Sequence, residues 1–163
     1  MWVRFLLRDL AVGAATAVGW WGDAWARAHA EGVLAIALAV VAAVLTALCG
    51  YLVHEWGHLT ASWLSRSVVE APARLTSPFL FRFDTVRNDR RQFLAMSAGG
   101  YLASVLALGV IVALVPWPAL SATVTLVLTA LGVLATFVLE VPVTWRVLRG
   151  QPLPGGGLYT GSH

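Results

Sequence analysis

The sequence predicts an all-α membrane protein with about four transmembrane helices and a polar cytoplasmic connection between the second and the third. Three observations predict it. Of 163 residues, 59% are hydrophobic and only 12% charged, too few polar side chains to cover a soluble domain of this length. The apolar residues fall in blocks of membrane-spanning length. Ten of the eleven arginines lie in segments that this layout puts on one side of the bilayer.

The first segment, about 5–21, is the weakest of the four. Arg8 and Asp9 interrupt it and alanine and glycine dominate it, so an interfacial helix is the alternative to a short span. It has no convincing cleavage site and is expected to be retained. The second, 32–53, carries no charge and is long enough to cross about 30 Å of hydrocarbon. Its helical pattern continues past His54 towards Ser65. The third, 93–115, ends in Pro116-Trp117-Pro118, a turn with an aromatic ring at interfacial depth. The fourth, about 120–140, is followed by Pro142, Trp145 and Arg146.

With the N-terminus inside, Arg4 and Arg8 are cytoplasmic. So are Arg66, Arg74, Arg82, Arg87, Arg90 and Arg91 in the connection, and Arg146 and Arg149 near the C-terminus; Arg27 alone is outside. This bias favours four spans with both termini cytoplasmic. It also accounts for the basic balance without nucleic acid, which is excluded as a partner in favour of the lipid bilayer. Cys49, the single cysteine, lies in an apolar run and reads as a small buried hydrophobe. Trp2, Trp56, Trp117 and Trp145 suit interfacial anchoring.

The 66–92 connection is the one long polar stretch. Phe79 to Asp84 alternates as a short strand does, and Pro72 and Pro78 prevent a single helix. A small hairpin at the cytoplasmic face and a plain linker both remain open. Residues 1–150 thus read as one transmembrane domain, and 151–163, rich in proline and glycine and ending in His163, as a flexible tail.

The chemistry concentrates in His54-Glu55-Trp56-Gly57-His58. Residues four apart on a helix share a face, so two imidazole nitrogens can reach one Zn²⁺ at about 2.0–2.1 Å each. Glu55, beside the first histidine, is placed to take a proton from a metal-bound water as general base. The alternative is that the cluster only marks the exit of the helix into the interface. Ionisable groups at the end of a long uncharged run are expensive unless they have partners or work, which favours the metal.

Two histidines are too few for a stable catalytic site. Glu140 ranks first as third ligand, because it lies at the cytoplasmic end of the fourth span, at the depth of the histidines, with Pro142 able to open the helix there. A salt bridge from Glu140 to Arg146 is the competing reading. Asp84 and Asp89 rank lower, Asp89 being set among arginines. Glu70 and Asp23 rank lower still, and Asp23 and His29 fall on the other side of the membrane. The small residues from Ser97 to Ser104 permit close helix packing, or leave backbone open to an extended substrate. Thr16, Ser97 and Ser104 have no general-base partner in view, so serine hydrolysis is unsupported.

Over roughly residues 32–150 the chain resembles the site-2 protease family of intramembrane zinc metalloproteases. His54-Glu55-Trp56-Gly57-His58 fits that family's His-Glu-x-Gly-His pattern, at the cytoplasmic end of a hydrophobic helix. Gly99-Gly100-Tyr101-Leu102-Ala103-Ser104 loosely echoes a glycine-led motif of the family's next helix, without its proline and asparagine. The resemblance implies one zinc per chain, His54 and His58 as ligands and Glu55 as general base. It further implies strands between the two helices and a bacterial inner-membrane location. The family's third ligand comes from an Asp-Gly pair, and here Leu148-Arg149-Gly150 puts an arginine, which cannot ligate a cation, at the comparable place.

The expected function is therefore a zinc-dependent intramembrane endopeptidase, with a membrane-protein substrate. The alternative is a catalytically inactive relative serving as a structural or assembly subunit, with a partner subunit in the membrane. A different metal-dependent membrane enzyme, or a metal or proton conduit, is the third reading.

Overall fold

The computed structural model describes residues 2–30 and 32–155. Four long helices account for most of them: α1 (Trp2–His29), α2 (Val33–Leu64), α3 (Arg90–Leu114) and α4 (Leu120–Leu148). Two short strands, β1 (Val69–Glu70) and β2 (Arg82–Phe83), lie between α2 and α3. Three helices, α2, α3 and α4, are long and apolar enough to cross a membrane. Their outward side chains suit lipid rather than water: Leu131 and Leu134 are 57% and 58% exposed, and Val33 is 84% exposed.

The helix that contains the expected 5–21 segment extends beyond it at both ends. α1 runs unbroken through Arg8, Asp9 and Asp23, because each charged group finds a partner that removes the cost of carrying it. The Arg8 guanidinium donates to Asp9 Oδ1 at 2.6 Å and to the Leu75 carbonyl at 2.8 Å. Asp23 is buried, accepts from Ser121 Oγ at 2.9 Å and pairs with Arg27 one turn on. Gly32, with φ of +68°, makes the turn into α2, a conformation that costs glycine little.

α2 and α3 cross at close range, and two glycines make the crossing. A Cβ at Gly57 would collide with the Ala103 side chain and the Gly99 carbonyl; one at Gly99 would collide with Ala61 and the Gly57 carbonyl. Backbones meet where side chains would otherwise hold them apart. The small residues of the 97–104 run are therefore used in packing.

In the connection the structure decides for paired strands over a plain linker. Val69 pairs with Phe83 and Glu70 with Arg82, antiparallel. The strand is shorter than the 79–84 alternation predicts, because Leu80 and Phe81 turn into the core instead of pairing. Asn88 extends the pairing from the side: its amide donates to the Val68 carbonyl at 2.8 Å and accepts from the Val68 N–H at 2.7 Å. Asp89 caps α3 in a reciprocal capping box with Gln92, so its role among the arginines is local backbone satisfaction.

α4 likewise continues as a helix beyond the expected 120–140 segment, through Pro142 to Leu148. Proline removes one backbone donor there without ending the helix. The helix stops at Arg149, with Gly150 at φ of +91°. The main hydrophobic core sits at this end of the bundle. Phe5, Leu59, Leu80, Phe81, Phe83, Phe93, Met96, Val143 and Val147 form it, drawn from three helices, the connection and the start of α1. Leu153, in the segment expected to be a flexible tail, packs on this cluster; the remaining tail, 156–163 with His163, lies outside the described residues.

Candidate metal centre

His54 and His58 face α3 and α4 from the last three turns of α2, both buried. Their rings are nearly perpendicular, with centroids 4.3 Å apart. Each ring is oriented from behind by α3. His58 Nδ1 is 2.9 Å from the Met96 carbonyl; His54 Nδ1 is 3.1 Å from the Gly100 carbonyl and 2.9 Å from Ser104 Oγ. A carbonyl oxygen only accepts, so each Nδ1 carries a proton and each Nε2 of a neutral ring presents a lone pair.

Those two Nε2 atoms are 3.0 Å apart. From α4, Glu140 brings Oε1 to 3.2 Å from His54 Nε2 and Oε2 to 3.3 Å from His58 Nε2. Among the described residues these three are the group able to hold a metal ion, with ligand atoms within 4.8 Å of one another. Two facing lone pairs beside a carboxylate repel unless a cation, whether a metal ion or a proton, lies between them. A tetrahedral ion bonded at about 2.0–2.1 Å spaces its ligands by about 3.3 Å, close to the separations found. The residues present therefore fit a divalent transition metal, and the carbonyls behind each imidazole supply the usual outer support.

Gly100 is the reason α3 can approach so closely. A Cβ there would fall within the His58 ring. Residues 96, 100 and 104 recur every fourth position along α3, matching His54 and His58 on α2. That spacing was visible in the sequence, but the carbonyls of Met96 and Gly100 carry no side-chain signal. Sequence reasoning missed them, together with Ser104 as a histidine partner.

Glu55 is 7% exposed, and its Oε2 accepts the Leu80 N–H at 2.9 Å. The segment that provides this contact is pinned at two further points: Tyr51 donates to the Pro78 carbonyl at 2.5 Å, and Arg8 donates to the Leu75 and Ser77 carbonyls. The connection thus lies along α2 beside the site. Trp56, read as suited to interfacial anchoring, donates from its indole to Asp9 Oδ2 at 2.8 Å.

The other carboxylates named from sequence stand elsewhere. Asp84 caps the turn at Val86 and Arg87, Asp89 caps α3, Glu70 is in β1, and Asp23 is at the opposite end of α1. Arg149, where the resemblance expects a ligand, caps α4 and lays its guanidinium over the Trp145 ring at 4.8 Å. Comparison with protein-family models, with curated proteins and with solved structures yields no match.

Proposed function

We propose that His54, His58 and Glu140 hold one zinc ion and that the protein is a zinc-dependent intramembrane endopeptidase of the site-2 protease type. One observation carries the reading: a carboxylate from α4 meets both Nε2 atoms while main-chain carbonyls of α3 occupy both Nδ1 atoms. Nothing in helix packing alone asks for three donors converging in that way.

A bound zinc would supply Lewis acidity, making water acidic near neutral pH and polarising a substrate carbonyl. The chain's own residues supply the rest. Glu55 takes the proton of the attacking water and passes it to the departing amine; its hydrogen bond to Leu80 leaves it further acceptor capacity. Met96, Gly100 and Ser104 hold the imidazoles in the tautomer that can ligate. Helix ends are where a substrate's amides are least shielded, and the site lies near one end of the bundle. In this reading α1 is the fourth span, the arginine-rich end is cytoplasmic, and the substrate is a membrane protein.

A second reading has its own support. Glu55 staples the connection to α2, and Arg149 replaces a carboxylate, both of which suit a structural subunit without catalysis. Elemental analysis of detergent-purified protein separates the two. About one zinc per chain, lost in His58→Ala and in Glu140→Ala, supports the enzyme. No metal in the wild type, purified without chelator and after incubation with zinc, overturns it.

A further inference from the structure

A second polar feature runs away from the metal centre into the bundle. Ser121, Thr125, Thr129, Thr136 and Glu140 recur along one face of α4 over about 28 Å of helix axis, at 1.5 Å per residue. Hydroxyls at membrane depth normally bond back to the carbonyl one turn earlier. Thr16, Thr46 and Thr136 do so, to Val12, Ala42 and Gly132. Thr125 and Thr129 do not. They are 0% and 6% exposed, and among the described residues their Oγ1 atoms have no hydrogen-bond partner. An unmet hydroxyl in a water-free interior is costly and calls for a partner; of the two, Thr129 borders a cavity.

Thr129 lines a partly open cavity of about 60 Å³ between α2, α3 and α4, whose wall is mainly apolar and takes further polar groups from His54, Ser104 and Thr136. We infer that this cavity is a water site, anchored by Thr129 and Ser104, that stores water behind His54 on the membrane-core side of the metal centre. The volume has room for about two waters at about 30 Å³ each. The hydrogen bonds are available. Ser104 Oγ accepts from His54 Nδ1 and keeps its own O–H to donate. Thr136 donates to Gly132 and keeps lone pairs to accept, while the Thr129 hydroxyl can do either. Thr129 and Thr136 lie about 10 Å apart along the axis, so two waters bonded to each other would reach the hydroxyls that no single water can span.

The consequence for function rests on the endopeptidase reading; the hydration itself does not. Each peptide bond cleaved consumes one water, and a substrate lying beside the connection covers the side of the site nearest bulk solvent. A reserve behind His54 supplies water without the substrate leaving.

Hydroxyl-radical footprinting with mass spectrometry, on protein in lipid nanodiscs, tests this with an internal control on the same helix. Leu128 lines the cavity, whereas Leu131 and Leu134 point outward into lipid. Hydroxyl radicals generated from water in the cavity should oxidise Leu128 severalfold more than Leu131 or Leu134. Thr129→Val should bring Leu128 down to their level, and Thr129→Ser should restore it. Leu128 as silent as Leu131 in the wild type overturns the inference, leaving a dry cavity. Zinc content measured on the same samples separates the two proposals. Labelling without zinc overturns the metal reading alone, and zinc without labelling overturns the water site alone.

Discussion

Gly100 of α3 and His58 of α2 are packed so closely that the imidazole occupies the space a Cβ would need at residue 100. The contact couples helix packing to ligand geometry, because the same turn of α3 gives its carbonyl to His54. Gly100→Ala should therefore displace the His58 ring and separate the two Nε2 atoms. The expected result is loss of bound metal, with a stability cost of about 1–3 kcal/mol from overpacking. Elemental analysis and thermal unfolding read the two effects separately. Gly109→Ala, which meets open space, is the control and should change neither.

Ser104 and the Gly100 carbonyl share the His54 Nδ1 proton. Removing one of two acceptors should weaken ligand orientation without destroying it. Ser104→Ala should lower zinc affinity by about tenfold, the smaller end of the range for such supporting contacts. Competition with a metal-binding dye measures it. An unchanged affinity would mean that the carbonyl alone orients the ring.

Glu55 has a structural contact and a proposed chemical one, and two substitutions divide them. Glu55→Gln keeps an oxygen to accept the Leu80 N–H but gains no proton at working pH. It should retain the fold and the metal while losing cleavage of a transmembrane test peptide. Glu55→Ala leaves the buried amide unmet and should cost about 1–3 kcal/mol in addition. Cleavage by Glu55→Gln at the wild-type rate would remove Glu55 from the role of base.

At the far end of α1, Asp23 is 2% exposed and holds Arg27 and Ser121 together. Arg27→Ala leaves the carboxylate buried against one hydroxyl. Because Arg27 is 38% exposed, the cost should fall below that of a fully buried pair, at about 1–3 kcal/mol. Metal content should not change, since the pair lies at the opposite end of the bundle. Unfolding in graded SDS, with zinc measured beforehand, checks both.

What the sequence determined by itself is what depends on near neighbours in the chain. Uncharged runs of spanning length make α2, α3 and α4 legible, and four-residue spacing puts His54 and His58 on one face whatever else surrounds them. The 3.6-residue period of a single helix is enough for both. The limits of α1 were not legible, because Arg8 and Asp9 look like interruptions until Leu75 and Trp56 are seen to satisfy them. Asp89 reads as a ligand candidate among arginines until Gln92 closes the capping box. Depth along the helix ranked Glu140 first as third ligand, but its contact with both histidines, the Leu80 amide on Glu55 and, among the described residues, the unmet hydroxyl of Thr129 were decided by tertiary structure. Each depends on how far apart two helices cross, and at this site that distance is set by glycines at 57, 99 and 100 that carry no chemistry of their own.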